Sequence, residues 1–282
     1  PAVVNISTRG RGSMRENPLM QDPFFRRFFG APGTQPRERQ TSSLGSGVII
    51  DAAAGHVVTN QHVIGNADEI TVRLHDGRSV QAEVIGSDPN ADIAVIKIPA
   101  QGLTAIDLGN SDRLRVGDFV VAIGNPFGLG QTVTSGIVSA LGRSGLGIED
   151  YEDFIQTDAS INQGNSGGAL VNLRGELIGV NTAIVGPSGG NVGIGFAIPI
   201  NMVLGLTRQI VEFGEVRRGR LGVVIQDLTR DLAQAFGIDT EHGAVIAQVM
   251  PDSAAADAGF KEADVITAVN GRPVKGATDL RN

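Results

Sequence analysis

From residue 44 to residue 199 the chain is written in strand-length pieces, and this recurrence most narrows its fold. Runs rich in Val and Ile occupy 47–51, 56–59, 69–74, 79–87, 93–98, 119–123, 132–141, 168–172, 177–183 and 193–199, with Gly, Pro, Asn or Asp between them. Short strands at such spacing, with His75-Asp76-Gly77-Arg78 as a hairpin turn, predict an all-β barrel or sandwich. Residues 1–8 add a strand centred on Val3-Val4-Asn5-Ile6. The 39 glycines and an aromatic content of only 4% suit short strands joined by tight turns. Helical periodicity is clear only over 200–213, and that helix closes a first, mainly β domain spanning 1–215.

Residues 214–219, rich in charge and glycine, read as a linker. A second, α+β unit spans 216–282. Its expected strands are 221–226, 244–249 and 265–270, its helices 231–236 and 253–258, and a further helix begins at Ala277. A unit of ~60 residues is marginal by itself on surface-to-volume grounds, and this one stops within an element, so it reads as the first part of a domain. Inside the first domain, 9–40 is a long polar loop. Loops above ~12–15 residues are usually functional or disordered. It carries Phe24, Phe25, Phe28 and Phe29, four of the eleven phenylalanines, at a spacing that puts them on one face of a short helix. Such a cluster packs as a flap on its own domain or docks on a neighbouring subunit or substrate.

Thirty acidic and 23 basic residues give a net charge of −7, spread along the chain. That argues against a nucleic-acid partner, which calls for a basic patch. No apolar run reaches the ~18 residues needed to span a bilayer, so no integral membrane segment is expected. The first residue is Pro1 and no signal peptide is visible, so the chain reads as processed or trimmed. With no cysteine, disulfides, cysteine catalysis and thiolate metal sites are excluded. Four histidines without close pairing argue against zinc, and no cofactor is implied.

Chemistry centres on Gly164-Asn165-Ser166-Gly167-Gly168. A serine hydroxyl attacks a carbonyl only when a base takes its proton, and the resulting anion needs nearby donors. Glycines around Ser166 let backbone N–H groups approach a substrate, so one stretch offers both nucleophile and oxyanion hole. The plain alternative is a Gly/Asn/Ser turn between strands. His62 follows a β-run, and Asp92 enters the apolar run 93–98, where a part-buried carboxylate needs a partner such as a histidine N–H. The order His, Asp, Ser is that of chymotrypsin-like barrels. His62 as a strand-end cap, Asp92 as an Asx-turn, Asp88 or Asp51 as the acid, and His56, His75 or His242 as the base remain open on the residues alone.

Several segments together resemble the HtrA family of serine proteases and its periplasmic members. They are Leu44-Gly45-Ser46-Gly47-Val48-Ile49-Ile50, Thr59-Asn60-Gln61-His62-Val63, Asp92-Ile93-Ala94, Val121-Ala122-Ile123-Gly124-Asn125-Pro126-Phe127-Gly128, Phe154-Ile155-Gln156-Thr157-Asp158-Ala159, 164–170 and Gly193-Ile194-Gly195-Phe196-Ala197-Ile198-Pro199. They run in family order along nearly the whole chain. The resemblance implies a chymotrypsin-like double six-stranded β-barrel protease domain followed by an incomplete PDZ domain. It implies His62 as general base, Asp92 as its orienter and Ser166 as nucleophile, with the amides of Gly164, Asn165 and Ser166 bordering a switchable oxyanion hole. Gln163 and Gln61 depart mildly from the family pattern.

By the same resemblance, Ile161, Asn181, Thr182, Ala183, Ile184 and the loop 186–191 line the specificity pocket. Being uncharged, they imply cleavage after Val, Ala or Ile. Arg143 belongs to a loop that relays an activating signal between subunits, or else pairs with local acids. Arg220, Leu221, Gly222 and Val223 match a PDZ carboxylate-binding loop, whose next strand offers an edge to an extended peptide. The N-terminal strand and the four phenylalanines imply a homotrimer or multiples of trimers. The expected activity is ATP-independent endoproteolysis of unfolded envelope proteins in the periplasm, with chaperone activity. The competing reading is a holdase or peptide-sensing scaffold.

Overall fold

The computed structural model describes residues 1–11, 40–65, 67–125, 130–162, 164–184, 192–240 and 242–281. The cluster Phe24–Phe29, Gln163 and the loop 186–191 lie outside the described residues.

Two units emerge: 1–143 with 154–216, and 144–153 with 217–282. The first begins with β1 (Val3–Arg11), β2 (Gln40–Asp51) and β3 (His56–Thr59), then a short helix α1 (Gln61–Ile64). β4 (Glu69–Arg73), β5 (Ser79–Gln81), β6 (Glu83–Asp88) and β7 (Ile93–Lys97) follow. All seven strands form one antiparallel sheet in the order β5-β4-β1-β2-β3-β7-β6. Its two edges, β5 and β6, are successive pieces of one stretch that the sequence pattern shows as a single strand. Only Ala82 separates them. Its N–H donates to Ile70 O at 2.9 Å, so the chain leaves β4 there and passes to β7. The sheet therefore curls until one run of chain borders both ends, which is how a sheet removes its exposed edges. Inside lie Val4, Ile6, Ile49, Val57, Ile70, Val72 and Ile96. Each such side chain stabilises the fold by roughly 1.5–3 kcal/mol when fully buried.

The hairpin of β1 and β2 is longer than the apolar pattern indicates. Arg9, Gly10 and Arg11 pair with Ser42, Thr41 and Gln40, so the connection begins after Arg11 rather than at Arg9. These are polar residues, and the ladder that joins them is made by main-chain groups that hydropathy does not report.

The second half closes as a six-stranded barrel, β10-β13-β12-β11-β8-β9. Its strands are β8 (Phe119–Gly124), β9 (Thr132–Arg143), β10 (Phe154–Thr157), β11 (Ala169–Asn172), β12 (Leu177–Ile184) and β13 (Gly195–Pro199). β10 is a strand that periodicity alone does not show. Its core holds Val120, Val138, Ile155, Ile161, Leu170 and Ile178. Helix α2 (Ile200–Phe213) buries Ile200, Val203, Leu206 and Ile210 on one face and ends at Gly214, whose left-handed φ of 77° lets its N–H reach Ile210 O. This is the expected amphipathic helix, and it packs on β6, β7 and β12.

In the second unit, β14 (Val223–Asp227), β15 (Ala244–Val249) and β16 (Val265–Ile266) form a sheet with β14 at its edge. Between β14 and β15, α3 (Arg230–Phe236) starts at Thr229, whose hydroxyl accepts the Leu232 N–H. Helix α4 (Ala254–Asp257) is capped in the same way by Ser253. The expected strand 265–270 is interrupted after Ile266. β17 (Ala268–Val269) pairs instead with β18 (Arg272–Pro273) across the Asn270-Gly271 turn. α5 (Ala277–Arg281) is the last described element, and the Asp227 carboxylate accepts the Ala277 N–H at its first turn.

Candidate active site

The first barrel carries a histidine and a carboxylate on adjoining elements. His62 sits in α1, whose first N–H, that of Gln61, donates to Asp92 O at 3.2 Å. The Asn60 side-chain amide donates to the same carbonyl at 3.0 Å. Asp92 precedes β7 with a left-handed φ of 52°, a conformation Asp tolerates better than most side chains. Its carboxylate meets His62 twice. Oδ1 accepts the His62 backbone N–H at 2.9 Å, and Oδ2 meets Nδ1 at 2.8 Å. With Nδ1 bound to an anion, the imidazole carries its proton there and Nε2 is left as the basic nitrogen. Burial works against an imidazolium here, but the charge of Asp92 and its hydrogen bond outweigh it and hold His62 above its ordinary value. The ring is 31% exposed, so water weakens the opposing effect of burial, while the Asp92 side chain is only 3% exposed.

The other candidate acids have local roles. Asp51 Oδ1 accepts the N–H groups of Ala53 and Ala54, both at 2.9 Å, and Asp88 Oδ1 accepts the Asn90 N–H at 3.3 Å. Among the competing histidines, His56 pairs within the sheet opposite Asp51 and Lys97, and the His242 N–H donates to Thr240.

Ser166 lies in the turn before β11. Its Oγ donates to Thr182 O at 3.1 Å, and no hydrogen bond joins it to His62 among the described residues. Such contacts commonly tighten only when substrate is bound. Of the three amides expected at the oxyanion hole, that of Asn165 donates to Asn162 O at 2.9 Å. Those of Gly164 and Ser166 donate to no other described group. Gly167, at φ 78°, is where the turn demands glycine, because a Cβ would overlap Ser46 O and Thr59 Oγ1.

Thr182 was expected only as a pocket residue. Its hydroxyl donates to Asp92 Oδ2 at 2.8 Å, across a separation of 90 residues, and so links β12 of the second barrel to the acid of the first. Hydrogen bonds to charged groups contribute about 1.5–3 kcal/mol. Thr182→Val, which keeps the branched shape, is expected to lower the unfolding free energy by about that amount, read from urea denaturation.

Of the remaining expected pocket residues, Ile161 is buried in the second barrel's core, and the Asn181 amide donates to Ala169 O at 3.1 Å. Ala183 and Ile184 continue β12. Arg143 ends β9, and its guanidinium donates to Gln156 Oε1 at 2.8 Å. The following segment, 144–153, belongs to the second unit rather than to the first domain. There Glu152 accepts the N–H groups of Leu146 and Ile148, both at 2.7 Å, and the Arg218 guanidinium lies 4.1 Å from the centre of the Tyr151 ring. Arg220, Leu221 and Gly222 lead into β14. Gly222 has φ 80°, and its carbonyl accepts the Met250 N–H at 2.8 Å. Val223 opens the edge strand.

Two family models match the chain: a trypsin-like peptidase domain over residues 45–180 and a PDZ domain over 209–282. The periplasmic serine endoprotease DegP of Escherichia coli (strain K12) is 58% identical over 266 residues, covering 94% of this chain and 56% of its own length. The periplasmic pH-dependent serine endoprotease DegQ of the same organism is 52% identical over 284 residues, covering 100% of this chain and 62% of its own. The chain thus spans roughly three-fifths of these relatives. Among solved structures, the HtrA-type protease AlgW with a decapeptide is 49% identical with a TM-score of 0.74, covering 100% of this chain and 86% of that one. The same protease with a tripeptide is 47% identical with a TM-score of 0.76, covering 100% and 82%. A likeness that runs through both the barrels and the smaller unit, at such identity, leaves one assignment: the chain belongs to the HtrA family of trypsin-like proteases with a PDZ domain.

Proposed function

We propose that the chain is an ATP-independent serine endopeptidase acting on unfolded or misfolded proteins of the bacterial periplasm. The observation that carries this reading is the Asp92 carboxylate bound at once to His62 Nδ1 and to the Thr182 hydroxyl. That arrangement leaves Nε2 basic and aimed by a buried anion.

In the proposed cycle, the Ser166 hydroxyl rotates from Thr182 O to His62 Nε2 and loses its proton there as Oγ bonds the scissile carbonyl carbon. The carbonyl oxygen becomes an anion held by the Gly164 and Ser166 N–H groups. Collapse expels the amine, which takes the proton back from His62. Water, deprotonated by the same nitrogen, then bonds the acyl carbon, and the acyl–Oγ bond breaks as Ser166 Oγ takes that proton back from His62. Specificity for unfolded chains follows because an extended segment must enter the cleft. The domains are assigned as protease over 1–215 and PDZ over 216–282. Arg220, Leu221, Gly222 and Val223 would hold a peptide carboxylate beside the edge strand β14. Trimers, or multiples of them, would form through the N-terminal segment and Phe24, Phe25, Phe28 and Phe29. The oxyanion loop would switch under a signal relayed through Arg143, and chaperone activity accompanies this reading.

The test is digestion of unfolded casein with the new ends read by mass spectrometry. Cuts are expected after Val, Ala and Ile, because Ile161, Asn181, Thr182, Ala183 and Ile184 include no acid. Cuts after Lys or Arg would reject that pocket. Binding of casein without cleavage would favour the peptide-binding scaffold instead.

A further inference from the structure

We propose that Ser46 is a positioning residue of the oxyanion hole, its hydroxyl clamping the Gly164 carbonyl and thereby fixing the backbone that presents the two oxyanion donors. This inference rests on the serine-protease reading above.

Ser46 lies in β2 and is fully buried. It touches the nucleophile turn at two points. Its N–H donates to Ser166 O at 2.8 Å, and its Oγ donates to Gly164 O at 2.5 Å. The direction of the second bond is forced. The Asn125 N–H, which can only donate, points at the same Oγ at 2.8 Å. The one hydroxyl proton is therefore committed to the Gly164 carbonyl. Asn125 is itself held, since its carbonyl accepts the Asn5 side-chain amide at 2.8 Å. Asn5, Ser46 and Asn125 are all buried, so water does not replace a lost member of this chain of bonds.

The peptide between Gly164 and Asn165 is then gripped at both ends. Ser46 Oγ holds its carbonyl, and Asn162 O holds its N–H at 2.9 Å. The two oxyanion donors, Gly164 N–H and Ser166 N–H, belong to the peptides on either side of it. Their relative direction is set by this gripped unit. Gly164 has φ 93° and no Cβ, so no side chain of its own holds it there, and on its carbonyl side the position rests on the Ser46 bond. Without the Ser46 hydroxyl, the 164–165 peptide is freed to turn, and the relative direction of the two donors on either side of it is lost. Ser46 touches no substrate atom in this account. It acts through the backbone of Gly164.

The experiment compares the full chain with Ser46→Ala and Ser46→Cys on a fluorogenic apolar peptide, together with two inhibitors. One is a peptidyl aldehyde. Ser166 Oγ bonds its carbonyl carbon, the C=O π bond breaks, the hydroxyl proton passes to His62, and the resulting O⁻ needs the hole. The other is the product peptide of the same sequence, which binds without that oxygen. Ser46→Ala is expected to lose about ten- to hundredfold in kcat with KM nearly unchanged, somewhat less than removal of a whole donor. The aldehyde Ki should weaken by the same factor and the product Ki should not move. Ser46→Cys, which keeps a weak donor, should fall between. Equal kcat in Ser46→Ala and wild type, with Ser166-dependent cleavage intact, overturns the inference alone. Parallel weakening of both inhibitors also overturns it, because it signals general loosening. If Ser46→Ala does not fold, Ser46→Cys carries the same split at smaller amplitude, and wild-type kcat in that variant is the overturning result. A wild-type chain that cleaves nothing removes the protease reading and this inference with it.

Discussion

Ser166→Ala is expected to lower kcat on an apolar peptide by on the order of 10⁶-fold while leaving the fold intact. The size follows from the unit-like behaviour of nucleophile and base: without Oγ there is no acyl-enzyme, and His62 has nothing to deprotonate except water. The fold should survive because, among the described residues, the Oγ makes one hydrogen bond, to Thr182 O, and the backbone of the turn is held by other atoms. Initial rates measured beside a thermal melt check both halves. A loss of less than about a thousandfold, with an unchanged melt, would point to a different nucleophile, since oxyanion stabilisation and binding alone leave only about 10³–10⁴ over water.

Asp92→Asn is expected to cost about 10⁴-fold in kcat, and to move the acid limb of the pH profile downward. Asp92 Oδ2 accepts from both His62 Nδ1 and Thr182 Oγ1. An amide places either an oxygen or an NH2 there. With the NH2, Nδ1 becomes the acceptor, the ring proton moves to Nε2, and the base is lost. The sign of the pH effect follows from charge. The active form is the neutral imidazole, so the wild-type rate falls as pH drops through the His62 value, which Asp92 holds above the ordinary figure of about 6.5. Removing that charge leaves burial to act alone and lowers the value, so the residual activity of the variant persists to lower pH. A kcat/KM profile settles it. An acid limb that stays in place would mean that a group other than His62 controls it.

Hairpins and apolar runs made most of the first unit legible as sequence. What they did not convey was pairing. The run 79–87 carries no turn residue at Ala82, yet it changes partner there, because a strand's neighbour depends on the fold around it as well as on its own side chains. β10 follows an acidic stretch and is too short for periodicity to register. At the site, His62, Asp92 and Ser166 stood out by residue type and order. Local pattern left the choice among Asp51, Asp88 and Asp92 open, and the resemblance pointed to Asp92 by its segment alone; that its carboxylate meets His62 is visible only in the structure. The contacts of Thr182 with Asp92 and of Ser46 with Gly164 join residues 90 and 118 positions apart. No local spacing encodes such bonds, and both residues look like ordinary strand positions.

The hydroxyl that steadies Asp92 comes from β12, which is made later than every residue of the proposed triad. A chain emerging from synthesis therefore holds its base, acid and nucleophile before it holds the group that ties them together. Contacts of such long sequence separation slow folding, because the entropy of closing the loop is lost before the contact repays it. On the proposed reading, base, acid and nucleophile come under one shared restraint only when β12 takes its place in the second barrel.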